Sequence, residues 1–73
     1  MKGKVYCDSR GWHFKVMPGL GDDMFKARYN KPGKPGWHCV AVLPWRVLRT
    51  RAEADLAYYA KKKGMTEVKE NDL

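Results

Sequence analysis

Two stretches of this chain alternate apolar and polar residues with a period of two, and a glycine-rich segment joins them. In Trp12-His13-Phe14-Lys15-Val16, the residues Trp12, Phe14 and Val16 share one side, and His13 and Lys15 share the other. In Phe25-Lys26-Ala27-Arg28-Tyr29, Phe25, Ala27 and Tyr29 fall inward while Lys26 and Arg28 fall outward. Successive strand side chains point to opposite faces, so each stretch reads as a half-buried strand. Pro18-Gly19-Leu20-Gly21-Asp22-Asp23 supplies turn residues between them. The pair therefore predicts an antiparallel hairpin with one apolar face and one solvated, basic face.

The rest of the chain must cover that apolar face. Lys31-Pro32-Gly33-Lys34-Pro35-Gly36 is a loop by composition, a doubled Lys-Pro-Gly. Residues 37–43 follow as a third strand, apolar on both faces, so its inward face is left open; Pro44 ends it. Lys4-Val5-Tyr6-Cys7 predicts a short edge strand, and residues 65–68 a brief strand or a docked tail. A helix is expected over about Arg51 to Lys63. Thr50-Arg51-Ala52-Glu53 fits a capping box at its start, and Lys61-Lys62-Lys63 with Gly64 suits its end. Ala52, Leu56, Tyr59 and Ala60 form its single apolar stripe, and Tyr58 lies off it. The fold class expected is α+β: a three- or four-stranded antiparallel sheet with one C-terminal helix on one face. At 73 residues this is one domain, over residues 1–70, with 71–73 frayed.

Charge ranks the partners. The net charge is +7, and residues 1–51 hold eleven Lys/Arg against three acids. Residues 52–73 hold four Lys and five acids, so the surplus belongs to the strands and loops. A polyanionic partner suits that balance. No apolar run reaches the ~20 residues of a membrane span, and the first residues lead into no signal-type apolar core. Two cysteines are too few for a disulfide scaffold, and a reducing compartment disfavours a Cys7–Cys39 bridge. These features predict a cytoplasmic protein without a membrane role.

Trp12-His13-Phe14-Lys15 and Thr50-Arg51-Ala52-Glu53-Ala54, set in three strands followed by a helix, resemble the N-terminal arm-DNA-binding domain of phage and transposon tyrosine recombinases. The resemblance covers roughly residues 12–63. Those domains are similar to the AP2-type fold, which lays the outer face of its sheet in the DNA major groove. The resemblance implies a free-standing DNA-binding module from a phage or mobile element. It carries over no integrase activity, because no recombinase catalytic domain follows. This third strand is apolar where the family tends to be polar outside.

The candidate nucleic-acid-binding residues are His13, Lys15, Lys26 and Arg28 on the outer sheet face, Lys31 and Lys34 on the loop at its edge, and Arg10 and Arg46 as further phosphate contacts. Duplex DNA is the partner this arrangement suits best. The other function class is a small protein-interaction or regulatory adaptor whose surplus charge solubilises it or steers it to an acidic protein. Exposed apolar side chains at Trp37, Val40 or Tyr58, joined in a patch above roughly several hundred Å2, would mark that alternative. No metal or other cofactor is expected: Cys7, His13, His38 and Cys39 match no zinc-finger spacing, and His38 and Cys39 point to opposite faces of a strand. Nor is an enzyme, since no nucleophile elbow, paired carboxylates or glycine-rich phosphate cradle is visible.

Overall fold

The computed structural model describes residues 4–19 and 24–68. Within them the chain runs β1 (Val5–Cys7), β2 (His13–Pro18), β3 (Phe25–Asn30), β4 (His38–Cys39), α1 (Arg49–Lys63) and β5 (Thr66–Val68). All strands join one antiparallel sheet in the order β4-β3-β2-β1-β5. The fold is α+β with the helix C-terminal to four of the five strands. It has more strands than the three or four expected, because β5 returns to pair with β1 at one edge. Most of the expected hairpin turn, residues 20–23, and the expected tail, 71–73, lie outside the described residues.

β2 and β3 pair over their whole length, from His13 opposite Asn30 to Pro18 opposite Phe25. This register puts Phe14, Val16, Ala27 and Tyr29 under the helix and His13, Lys15, Lys26 and Arg28 on the outer face. On the helix, Ala52, Leu56 and Ala60 are buried, and Leu56 is wholly enclosed. The two alanines flanking Leu56 along the stripe let α1 lie close on β2 and β3, so that the leucine fills the centre of the core. Full burial of such a side chain contributes about 1.5–3 kcal/mol.

The helix starts two residues earlier than expected and without the capping box. Its N-cap is Leu48, which has no side-chain hydrogen bond to offer. Thr50 lies inside the first turn, and Glu53 accepts from Arg49 Nε at 3.4 Å instead of reaching back to a cap. The C-terminus follows the sequence. Gly64 is left-handed (φ +71°), Met65 N–H donates to Ala60 O at 2.8 Å, and Lys61–Lys63 occupy the last turn.

The third expected strand shrinks to two residues. His38 pairs with Tyr29 and Cys39 with Arg28. Val40 then turns into the core, donating its N–H to Ala27 O at 3.0 Å, and its own carbonyl accepts from Leu43 N–H at 3.1 Å in a turn. The inward face left open by the sequence is thus the one carrying His38 and Val40. The chain touches the sheet once more at Arg46, whose backbone exchanges hydrogen bonds with Phe25 at 2.6 and 2.8 Å. No helix among the described residues is long and apolar enough to cross a membrane.

Candidate nucleic-acid interface

The outer sheet face is built from alternate residues of every strand. Val5 and Cys7 come from β1, His13, Lys15 and Met17 from β2, Lys26, Arg28 and Asn30 from β3, Cys39 from β4, and Thr66 and Val68 from β5. None of these positions carries a carboxylate. At their centre Lys15 stands directly opposite Arg28, and Lys26 is opposite Met17. Like charges facing each other across antiparallel strands repel at this spacing. Neither cation is neutralised by an ion pair with the carboxylates of the described residues. Lys15 sends its ammonium over the Trp37 ring, 4.7 Å from the centroid. The Nε of Arg28 is enclosed with no hydrogen-bond partner among the described residues.

Lys26 departs from the expected solvated position. It faces outward by register, but only 8% of it is exposed. Trp45 is the cause. The bridge between Phe25 and Arg46 swings Trp45 across the end of the hairpin, where Lys26 Nζ sits 5.3 Å from its ring centroid. The lysine stem is used as apolar packing with its charge at the ring, as long cationic side chains allow. Lys26 is therefore a structural element of this face and not a free contact for phosphate.

The loop residues divide. Residues 31–36 are all exposed, and Asn30 Nδ2 donates to the carbonyls of Lys34 (3.1 Å) and Gly36 (2.7 Å), which fixes the loop against the end of β3. Lys34 stands on this loop beside the outer face. Lys31 goes the other way, its ammonium 4.9 Å from the centroid of Trp12.

Arg10 and Arg46 are not on the outer face. Arg10 lies 3.6 Å over the Trp12 ring, and its Nε and Nη2 donate to Asp8 Oδ2 at 3.0 and 2.6 Å. Burial alone would raise the Asp8 carboxyl, but the Arg10 guanidinium and the backbone N–H groups of Trp12 and Arg10 outweigh it and hold it below the ordinary carboxylate value. Arg46 donates to Asp55 on the helix at 2.7 and 3.2 Å, and this partner raises its pKa further. Both guanidiniums are thus engaged in holding the fold. Of the eight residues singled out in the sequence, the structure gathers His13, Lys15, Lys26 and Arg28 on one face, with Lys34 beside it; Lys31, Arg10 and Arg46 belong elsewhere.

Neither Trp37 nor Trp45 is among the candidate nucleic-acid-binding residues named from the sequence, where Trp37 stands only as an apolar side chain whose exposure would mark an adaptor. Both rings shelter lysine ammoniums on the outer side, so the face is aromatic as well as basic. Trp37 directly precedes β4, whereas Trp45 reaches the sheet only through the long-range bridge of Phe25 with Arg46. Among the described residues no three His, Cys, Asp or Glu side chains come together to hold a metal ion, and Cys7 and Cys39 are unbridged. No protein-family model, curated protein or solved structure matches this chain.

Proposed function

We propose that this protein binds double-stranded DNA with the outer face of its sheet, as a small module of the kind found at the N-terminus of phage and transposon tyrosine recombinases. The observation that carries the proposal is the Lys15–Arg28 cross-strand pair on a face whose strand positions hold no carboxylate. Two cations held face to face weaken the isolated sheet, and a phosphate backbone laid against them relieves the repulsion while releasing counterions. A two-stranded ribbon fits the major groove, where Arg28 can pair with a guanine edge and Lys15 can meet phosphate.

Titration with random duplex DNA at two salt concentrations tests this. Three phosphate contacts, from Lys15, Arg28 and Lys34, give a slope of log K against log salt of roughly −3. Absence of duplex binding at low salt overturns the proposal. So does binding that survives joint replacement of Lys15 and Arg28 by alanine.

A second reading, a protein-interaction adaptor, draws on a different place. Tyr58 and Val42 are 71% and 73% exposed on the helix side of the molecule, away from the basic sheet face.

A further inference from the structure

Tyr58 and Val42 border one groove. It opens between the turn after β4 and the last turns of α1, measures about 320 Å3, and is lined by Val42, Leu43, Tyr58, Tyr59, Lys62 and Lys63. A second hollow of about 260 Å3 continues from it, sharing Val42 and Tyr59, and reaches Trp12 and Arg10. The groove is mainly apolar with Lys62 and Lys63 at its rim. The second hollow is about as polar as apolar and ends at the Arg10 that pairs with Asp8. No carboxylate of the described residues lines either. Isolated exposed apolar side chains are ordinary; here two of them, Val42 and Tyr58, line the same groove. Tyr58 lies off the helix stripe formed by Ala52, Leu56 and Ala60, and Val42 stands in the turn after β4, so neither serves the core.

The state of the rings decides between anionic occupants. A single-stranded nucleic acid needs successive open rings on which bases stack. Trp12 is already stacked on Tyr29 at 5.2 Å and approached by Arg10 and Lys31. Tyr59 leans on Phe14, with Lys63 Nζ 5.8 Å from its centroid. Among the groove's rings that leaves Tyr58 open, too few for a run of bases. An apolar slot with lysines at its rim suits a chain that alternates carboxylates with apolar side chains.

We infer that this groove docks an acidic peptide segment of a partner protein. An apolar side chain enters between Val42 and Tyr58, and flanking carboxylates meet Lys62 and Lys63. The inference gives the adaptor reading a site and a partner class, and it is independent of the duplex-binding face. A protein carrying both surfaces would bring an acidic partner to DNA.

Fluorescence anisotropy with a dye-labelled peptide of alternating Glu and Leu tests it, against an all-Glu peptide and a Lys-Leu peptide of equal length. The Glu-Leu peptide is expected to bind, the all-Glu peptide roughly tenfold more weakly, and the Lys-Leu peptide not at all. Tyr58→Ala, and separately Lys62→Gln with Lys63→Gln, should each weaken Glu-Leu binding by about tenfold, whereas joint Lys15→Ala and Arg28→Ala should leave it unchanged. Tyr58→Phe keeps the ring and should bind as the parent does, and helical circular dichroism checks that each variant folds. Failure of the Glu-Leu peptide to bind, equal binding of the all-Glu peptide, or indifference to Tyr58→Ala overturns the inference. Displacement of the peptide by oligothymidylate in a Tyr58-dependent manner would assign the groove to nucleic acid instead. A concentration-dependent dimer lost in Tyr58→Ala would assign it to a second copy. If only this experiment fails, the DNA proposal stands, since its own variants lie on the other face.

Discussion

The six-membered ring of Trp45 occupies the space that a Cβ on Gly19 would need, its Cζ3 and Cη2 atoms overlapping that position. The glycine thereby lets the indole close over the end of the β2–β3 hairpin and shelter Lys26. Gly19→Ala must push the ring away, and such overpacking costs about 1–3 kcal/mol. Chemical denaturation should show that loss. Lys26 should also become more reactive toward an amine-directed reagent, as read by mass spectrometry. Unchanged stability together with unchanged Lys26 labelling would show that Trp45 does not seal this end of the sheet.

Leu56 is the most enclosed side chain of the helix, set between Ala52 and Ala60 and pressed on β2 and β3. Leu56→Ala should cost about 2–5 kcal/mol, because the sheet cannot collapse into the space left behind. In a domain this small each kcal/mol lowers the melting temperature by about 4–8 °C, so the variant should be largely unfolded at moderate temperature. A loss below about half a kcal/mol would mean that the helix is not docked as described.

What could be read from the sequence was what the chain decides locally. The period-two pattern gave β2, β3 and the inward positions of Phe14, Val16 and Ala27, and Gly64 with three lysines gave the helix end. The failures share a cause. Thr50 and Glu53 have capping chemistry, but the path from the Phe25–Arg46 bridge brings the chain into the helix at Leu48, two residues too early for them to cap. Residues 37–43 have strand composition, but Val40 is drawn into the core and bends the chain after Cys39. The site was legible as a face and not as a set of free charges. Alternation placed Lys26 outward, but only the long-range return of Trp45 decides that it is covered. Arg46 is likewise committed by a partner, Asp55, nine residues on.

Asp8 ties the turn between β1 and β2, and its behaviour with pH follows from that. Its Oδ1 accepts the backbone N–H groups of Arg10 (2.9 Å) and Trp12 (3.0 Å), while Oδ2 takes the Arg10 guanidinium. The folded-state pKa lies below the unfolded one. The native state therefore binds fewer protons between the two values, and stability there rises with pH. The contribution is fully present above the unfolded carboxylate pKa of about 3.9 and is lost as pH falls through the folded value. Asp8→Asn should cost about 1–2 kcal/mol at neutral pH and remove this part of the acid dependence. Urea unfolding of both proteins across the acid range checks it, and parallel stability-versus-pH curves would sink the assignment.

Lys15, Arg28 and Lys26 stand on one face, but their different surroundings predict different defects. Lys15→Ala removes a partly exposed cation and should reduce the salt slope of duplex binding by about one, weakening unrelated sequences alike. Arg28→Ala should also relax sequence preference, because a guanidinium reads guanine bidentately and such a pair is worth about 1–3 kcal/mol of discrimination. Lys26→Ala should leave the slope almost untouched and instead lower stability by roughly 1 kcal/mol, since its stem and charge are packed against Trp45. Lys26→Met, which keeps the stem, should recover part of that loss. Salt-dependent titrations paired with urea unfolding separate the two kinds of effect. If Lys26→Ala lowers the slope by a full unit at unchanged stability, the lysine reaches phosphate after all, and Trp45 swings aside when DNA binds.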